Sequence, residues 1–179
     1  MLRPLLKRAS LLLLLLTLAL LGACDLFAPR PPPPPAQPPL PNYDRVAAIR
    51  AAGDRETSII SVNALRDPGV TSLQDAAQQD ERAGRYADAA GKLDQALKLS
   101  PESPDLLQDR AEMAVRLKDY SGAEKLAHQS WELGPKLGPL CARNWQTVVE
   151  IRLLSRDKAG ADRARQSVQE CHKAGIPRY

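Results

Sequence analysis

Residues 86–101 read YADAAGKLDQALKLSP, and residues 120–135 read YSGAEKLAHQSWELGP. Laid one above the other, Tyr86 recurs as Tyr120, Ala89 as Ala123, Leu97 as Trp131, Leu99 as Leu133 and Pro101 as Pro135. The displacement is the same for all five pairs. Within each copy the apolar residues come at spacings of three and four, which puts one face of a helix against a partner. A repeat of about 34 residues is one supersecondary unit, too small to bury its apolar face alone and built to stack on a neighbour.

The surrounding sequence supplies the rest of each unit. Leu73, Ala76, Ala77 and Asp80 open a helix that stops at Gly84. Ser103-Pro104 reads as an N-cap followed by proline at the first helical position, where its missing N–H is harmless. Leu107, Ala111, Ala114 and Leu117 stripe that helix; Ser121 and Glu124 suit a capping box for the next, and Gly134-Pro135 ends it. The repeats therefore run over 70–103 and 104–137. A third, altered unit follows. Cys141, Trp145, Val148, Val149 and Ile151 form one face, Arg156-Asp157 the turn, and Ala161, Ala164, Val168 and Cys171 the second face. Ala161 falls four residues late against Ala89 and Ala123, which predicts a first helix longer by one turn. Trp145 stands where Ala77 and Ala111 stand in the earlier units; with Trp131 it serves either buried packing or a ligand platform.

This pattern resembles the tetratricopeptide repeat over residues 70–175. The fold that follows is all-α: a short solenoid of about three helix–turn–helix units behind a disordered proline-rich tether. The resemblance implies a concave groove lined by the first helix of each unit. Carried over by phase, the groove presents Gln74, Gln78, Glu81 and Arg82, then Gln108, Glu112, Val115 and Arg116, then Arg143 and Gln146. It lacks the basic and Asn set with which some family members clamp a terminal carboxylate.

The N-terminal part has a different character. Arg3, Lys7 and Arg8 precede an apolar run from Leu11 to Leu21, broken only by Thr17. As a helix that run rises about 16 Å, short of the ~30 Å hydrocarbon core, so residues 1–23 read as a signal peptide. It ends in Leu21-Gly22-Ala23-Cys24, which resembles the lipobox of bacterial lipoproteins, with Cys24 as the acylated residue; an ordinary secretory signal beside a cysteine is the alternative. Nine prolines between Pro29 and Pro41 favour extended polyproline II, so residues 24–41 form a lipid-anchored linker reaching up to ~50 Å. Residues 42–69 form an N-terminal capping segment. In it Asn42 caps a short helix, Asp67-Pro68-Gly69 makes a turn, and the whole lies across the exposed face of the first repeat. Residues 176–179 are a tail.

Removing residues 1–23 takes three basic residues and no acidic ones, leaving 22 Lys+Arg against 21 Asp+Glu. The formal charge of +4 thus belongs largely to the signal and gives no argument for nucleic acid. Little points to catalysis, and no metal or cofactor is expected. No phosphate loop, paired metal-ligand motif or nucleophile elbow occurs; His128 and His172 lie 44 residues apart, and His172 adjoins Cys171, a pair that could bind metal but has no further ligands. Cys141 and Cys171 are equally far from the turn at Arg156-Asp157, as Leu73 and Leu99 are from theirs. In an oxidising compartment, with Cys24 occupied by lipid, they are expected to form a disulfide.

Together these readings describe a lipoprotein of the bacterial cell envelope, held to the membrane and facing the periplasm. Its repeats would bind a protein or an extended peptide, as an adaptor or scaffold. Asp25 resembles an inner-membrane retention signal and favours that membrane over the outer one. The alternatives are a peptidoglycan-acting enzyme or enzyme accessory, with Glu81 or Glu112 as a buried acid, and a purely structural envelope spacer.

Overall fold

The computed structural model describes residues 39–56 and 67–172. The signal segment, Cys24, the proline run up to 38, the apolar stretch around Ile59 and Leu65, and the tail lie outside the described residues. What is described is seven helices and no strand: α1 (Arg45–Asp54), α2 (Pro68–Arg82), α3 (Tyr86–Leu99), α4 (Pro104–Arg116), α5 (Tyr120–Leu133), α6 (Pro139–Leu154) and α7 (Lys158–Glu170). Among the described residues no helix is long and apolar enough to cross a membrane.

Helix starts follow local chemistry. Pro68, Pro104 and Pro139 sit in the first turn of α2, α4 and α6, the first helices of the three units. The second helices α5 and α7 are capped by Asp119 and Asp157, whose carboxylates accept from the N–H of Gly122 at 3.0 Å and of Gly160 at 2.8 Å. A Cβ at either glycine would lie 2.2 or 2.1 Å from the capping carboxylate, so a side chain there would make the carboxylate shift. Ser121 and Glu124 therefore form no capping box; both lie inside α5. Asp67-Pro68-Gly69 is likewise a helix start and not a free turn, with the Asp67 carboxylate accepting from Gly69 N–H at 2.7 Å. The cap of α1 is Asp44, not Asn42: its carboxylate accepts from Ala47 N–H at 2.9 Å.

The hairpins α2–α3, α4–α5 and α6–α7 stack in order, α3 on α4 and α5 on α6. Each turn places one residue in the left-handed region: Gly84 at φ 74°, Lys118 at φ 62° and Arg156 at φ 60°. The step from Gly84 to Lys118 matches the sequence repeat, and the step from Lys118 to Arg156 is longer by one helical turn. Small residues let the helices approach closely, since Ala89, Ala96, Ala111, Ala114, Ala123, Ala127, Ala161 and Ala164 are all buried. Leu93, Leu106 and Met113 fill the space between the first two units. Leu99 and Leu133, at the level of the later cysteine, do not face inward as paired leucines. They are 61% and 44% exposed.

α1 departs from the expected position. It packs along α6 and onto α4, the first helices of units three and two, and not over the end of the first repeat. Val46 and Ile49 are buried against Ala114, Val115 and Ile151, with Tyr120 at the edge. Burying these two side chains is worth about 1.5–3 kcal/mol each. The outer face of the first unit offers no such anchor: Ser72, Asp75, Gln79, Asp88 and Gln95 are all exposed there. A polar end face needs no cap, so the apolar side of α1 goes to the concave side.

Candidate protein-binding groove

The concave face is built from α2, α4 and α6, and α1 lies in it as a partition. On the α6 side α1 fills the space. On the α2 side it leaves a groove of about 720 Å³, walled by α1, α2 and α4 and floored by Ala77, Tyr86, Leu93 and Met113. Six residues expected from the sequence line this opening: Gln74, Gln78, Glu81, Arg82, Arg116 and Arg143. Gln78 and Arg82 are exposed.

The other four do not line this opening. Gln108 and Glu112 are fully buried and Val115 is covered by α1, while Gln146 donates to Glu150 at 2.8 Å and lies off the groove. The physical reason is the same for Gln108 and Glu112: the third unit and α1 close over the inner turn of α4. The sequence reading also missed Asp105 and Asp109, one turn away on the same face of α4, and Arg50 and Asp54, which α1 adds to the wall.

Beneath the groove runs a charged network. The Glu112 carboxylate accepts from Arg143 Nε at 2.9 Å and Nη2 at 2.6 Å, from Arg50 Nε at 2.7 Å and from Gln108 Nε2 at 3.0 Å. Arg143 Nη2 also donates to Asp109 at 2.7 Å, and Asp109 accepts from Gln74 Nε2 at 2.8 Å. Arg50 Nη2 reaches Glu81 at 2.9 Å, so α1 is tied to the first helices of units one and two at once. Burial, the largest influence on both guanidiniums, pulls their pKa values down. The facing carboxylates more than offset it and hold both above the ordinary value. At the other end of α1, Asp44 pairs with Arg116 at 2.9 Å, and Arg116 stacks over the Tyr86 ring at 5.4 Å. The Tyr43 hydroxyl donates to Glu150.

Away from the groove, Cys141 and Cys171 are joined, with Cα atoms 5.6 Å apart and both residues buried. The bond ties the start of α6 to the end of α7. Trp131 and Trp145 meet edge to face at 5.4 Å and pack against Cys141, Ala142 and Val168, which makes them the packing between the second and third units. Among the described residues no group of His, Cys, Asp and Glu is placed to hold a metal ion. His172 turns instead to Glu56, at 2.9 Å.

Known proteins with similar features fall on the same architecture. Residues 81–141 match the tetratricopeptide repeat family. The globular C-terminal domain of LpoP from P. aeruginosa superposes with a TM-score of 0.55 at 28% identity, covering 59% of this chain and 99% of that one. The first such domain of Spaghetti (RPAP3), solved bound to the HSP90 peptide SRMEEVD, gives 0.53 at 18% identity, covering 60% and 84%. No curated protein sequence matches the chain. The described helices after α1 are tetratricopeptide-like repeats, and residues 81–141 carry the family's sequence pattern.

Proposed function

We propose that the protein is a lipid-anchored adaptor of the bacterial cell envelope, whose repeat domain captures a partner protein or an extended peptide in the groove between α1, α2 and α4. The observation that carries this is the open groove, with a floor of Leu93, Met113 and Tyr86 and a rim of exposed amide and charged groups. Such a lining suits a polypeptide backbone and mixed side chains. The likeness to a domain of the bacterial protein LpoP supports a bacterial setting. Anchoring rests on Leu21-Gly22-Ala23-Cys24 behind a short apolar run, followed by a proline-rich spacer. Acyl chains at about 0.8 kcal/mol per buried CH₂ hold a protein without a spanning helix once two or more are attached.

The enzymatic reading finds less support. The Glu112 carboxylate is fully buried beneath the groove and engaged by Arg50 and Arg143, and Glu81 is paired with Arg50.

A photo-crosslinking residue placed at Gln78 or Arg82 in cells, followed by mass spectrometry of the adduct, should capture one partner that is lost with the same probe at Lys125 on the outer face. Equal capture from both faces would overturn the groove reading. Cys24→Ser should release the protein from the membrane fraction or leave it unprocessed. Normal maturation of that variant would end the anchor reading.

A further inference from the structure

α1 differs from every other described helix in how it is held. The remaining six form three hairpins of consecutive helices. α1 has no hairpin partner and docks mainly on α6, which the chain reaches only after two whole repeat units. Its contacts are those of a docked ligand. Two apolar anchors, Val46 and Ile49, are flanked by ion pairs, Asp44 with Arg116 and Arg50 with Glu81 and Glu112. A glycine lets it lie close to α6: a Cβ on Gly53 would sit 2.8 Å from Arg143 Cγ and 3.1 Å from the Pro139 carbonyl oxygen.

The charged core beneath α1 also holds together through its own pairs. If Arg50 departs, Glu112 keeps Arg143 and Gln108, and Arg143 keeps Asp109, so neither of these two buried charges is stranded, while the half-buried Arg116 gives up Asp44 and keeps the Tyr86 ring. Arg50 itself is already 41% exposed.

We infer that α1 is a dissociable, built-in occupant of the concave face, which leaves while α2 to α7 stay folded and so extends the open groove onto α6. A ten-residue helix has little stability of its own, so α1 unravels once released. Local opening of this kind is the low-stability end of a fold, and binding segments are drawn from it. The inference rests on the concave face being the partner site. It adds that a partner reaching the α6 half must first compete with residues 45–54.

Native-state hydrogen exchange on the full chain tests it. Amides of 48–54 should exchange at least 100-fold faster than those of 106–115, and Gly53→Leu should raise the first rate a further 10-fold without changing the second. A dye-labelled peptide of residues 42–56 is then the probe. It should bind the Gly53→Leu chain at least 10-fold more tightly than the wild type, where the tethered copy outcompetes it. Equal exchange rates for the two segments in the wild type would overturn the inference, and that measurement decides alone if Gly53→Leu fails to fold. Fast exchange with no peptide binding to the opened chain would refute the occupant role. If both results are as expected and crosslinking at Gln78 captures nothing, the partner-site reading falls while α1 release stands.

Discussion

Replacing Glu112 by Gln asks whether the buried network is structural. The substitution keeps volume and removes one charge from between Arg50 and Arg143. It also sets an amide N–H₂ against guanidinium N–H groups, so at most one oxygen continues to accept. Arg143 is 23% exposed and retains Asp109; Arg50 is 41% exposed and retains Glu81. Breaking a fully buried ion pair costs about 3–5 kcal/mol when the partner is stranded. Because both guanidiniums keep a second carboxylate, the expectation is the low end, about 3 kcal/mol. For a domain of this size that lowers the melting temperature by roughly 8–15 °C. Glu81→Gln removes only the bond to a half-exposed Arg50, and solvent screening holds its effect below ~1 kcal/mol. Urea unfolding of the two variants, monitored by helical circular dichroism, gives both numbers. A Glu112→Gln loss no larger than that of Glu81→Gln would show that the carboxylate is not engaged as described, and would return it to consideration as a reacting group.

The Cys141–Cys171 bond spans a sequence separation of 30, worth about 3–4 kcal/mol by loop entropy, so Cys141→Ser should lower stability by that order. Thiol titration of unfolded, unreduced protein from the envelope should find neither cysteine free, and two titratable thiols would refute the bond. Lys118 holds a left-handed backbone that Gly84 adopts without strain at the equivalent turn; Lys118→Gly should therefore raise stability by roughly 0.5–1 kcal/mol in the same unfolding assay, and a loss would show the strain is absent. Burial, then the hydrogen bond to Glu150, pushes the Tyr43 phenol up to about 12. Its folded value lies above the unfolded ~10, so the stabilisation is complete below about pH 10 and fades as pH rises from there through the folded value. Phenolate absorbance should show one group titrating near 12 that disappears in Tyr43→Phe; an unchanged curve in that variant would be the contrary result.

The repeats are legible in the sequence because they rest on local pattern. Ser103-Pro104, the stop at Gly134 and the turn at Arg156-Asp157 each follow from residues within one helix length, the register from Tyr86 to Tyr120 from one repeat length, and the helices begin and end accordingly. The error at the start of α5 comes from choosing the familiar capping box over an aspartate facing a glycine. Asp119 and Asp157 are each followed three residues later by a glycine, Gly122 and Gly160, and that pairing is open to reading from the chain alone. The groove is half legible. Phase alone identifies which side of α4 faces inward, but not that Gln108 and Glu112 are covered, because part of the cover comes from Arg50, far upstream in the chain. Arg45–Asp54 is short and weakly patterned, and nothing within it selects α6 over the first repeat.

The register shift in the third unit explains that selection. α6 begins within one residue of where a further copy of α4 would start at the same interval, and it runs four residues past the equivalent of Arg116. Four residues are close to one full turn, so the extension carries the helix one turn further before the chain reverses. The added turn holds Ile151, which Val46 and Ile49 cover, and Arg152, which pairs with Glu124; Glu150, at its threshold, accepts from Tyr43. The first two units end before this level, and the face of α2 stays open. A longer third helix thus creates a ledge that the other two units lack. Because α1 docks on that ledge, the one irregularity visible in the repeat is also what divides the concave face into a filled half and an open half.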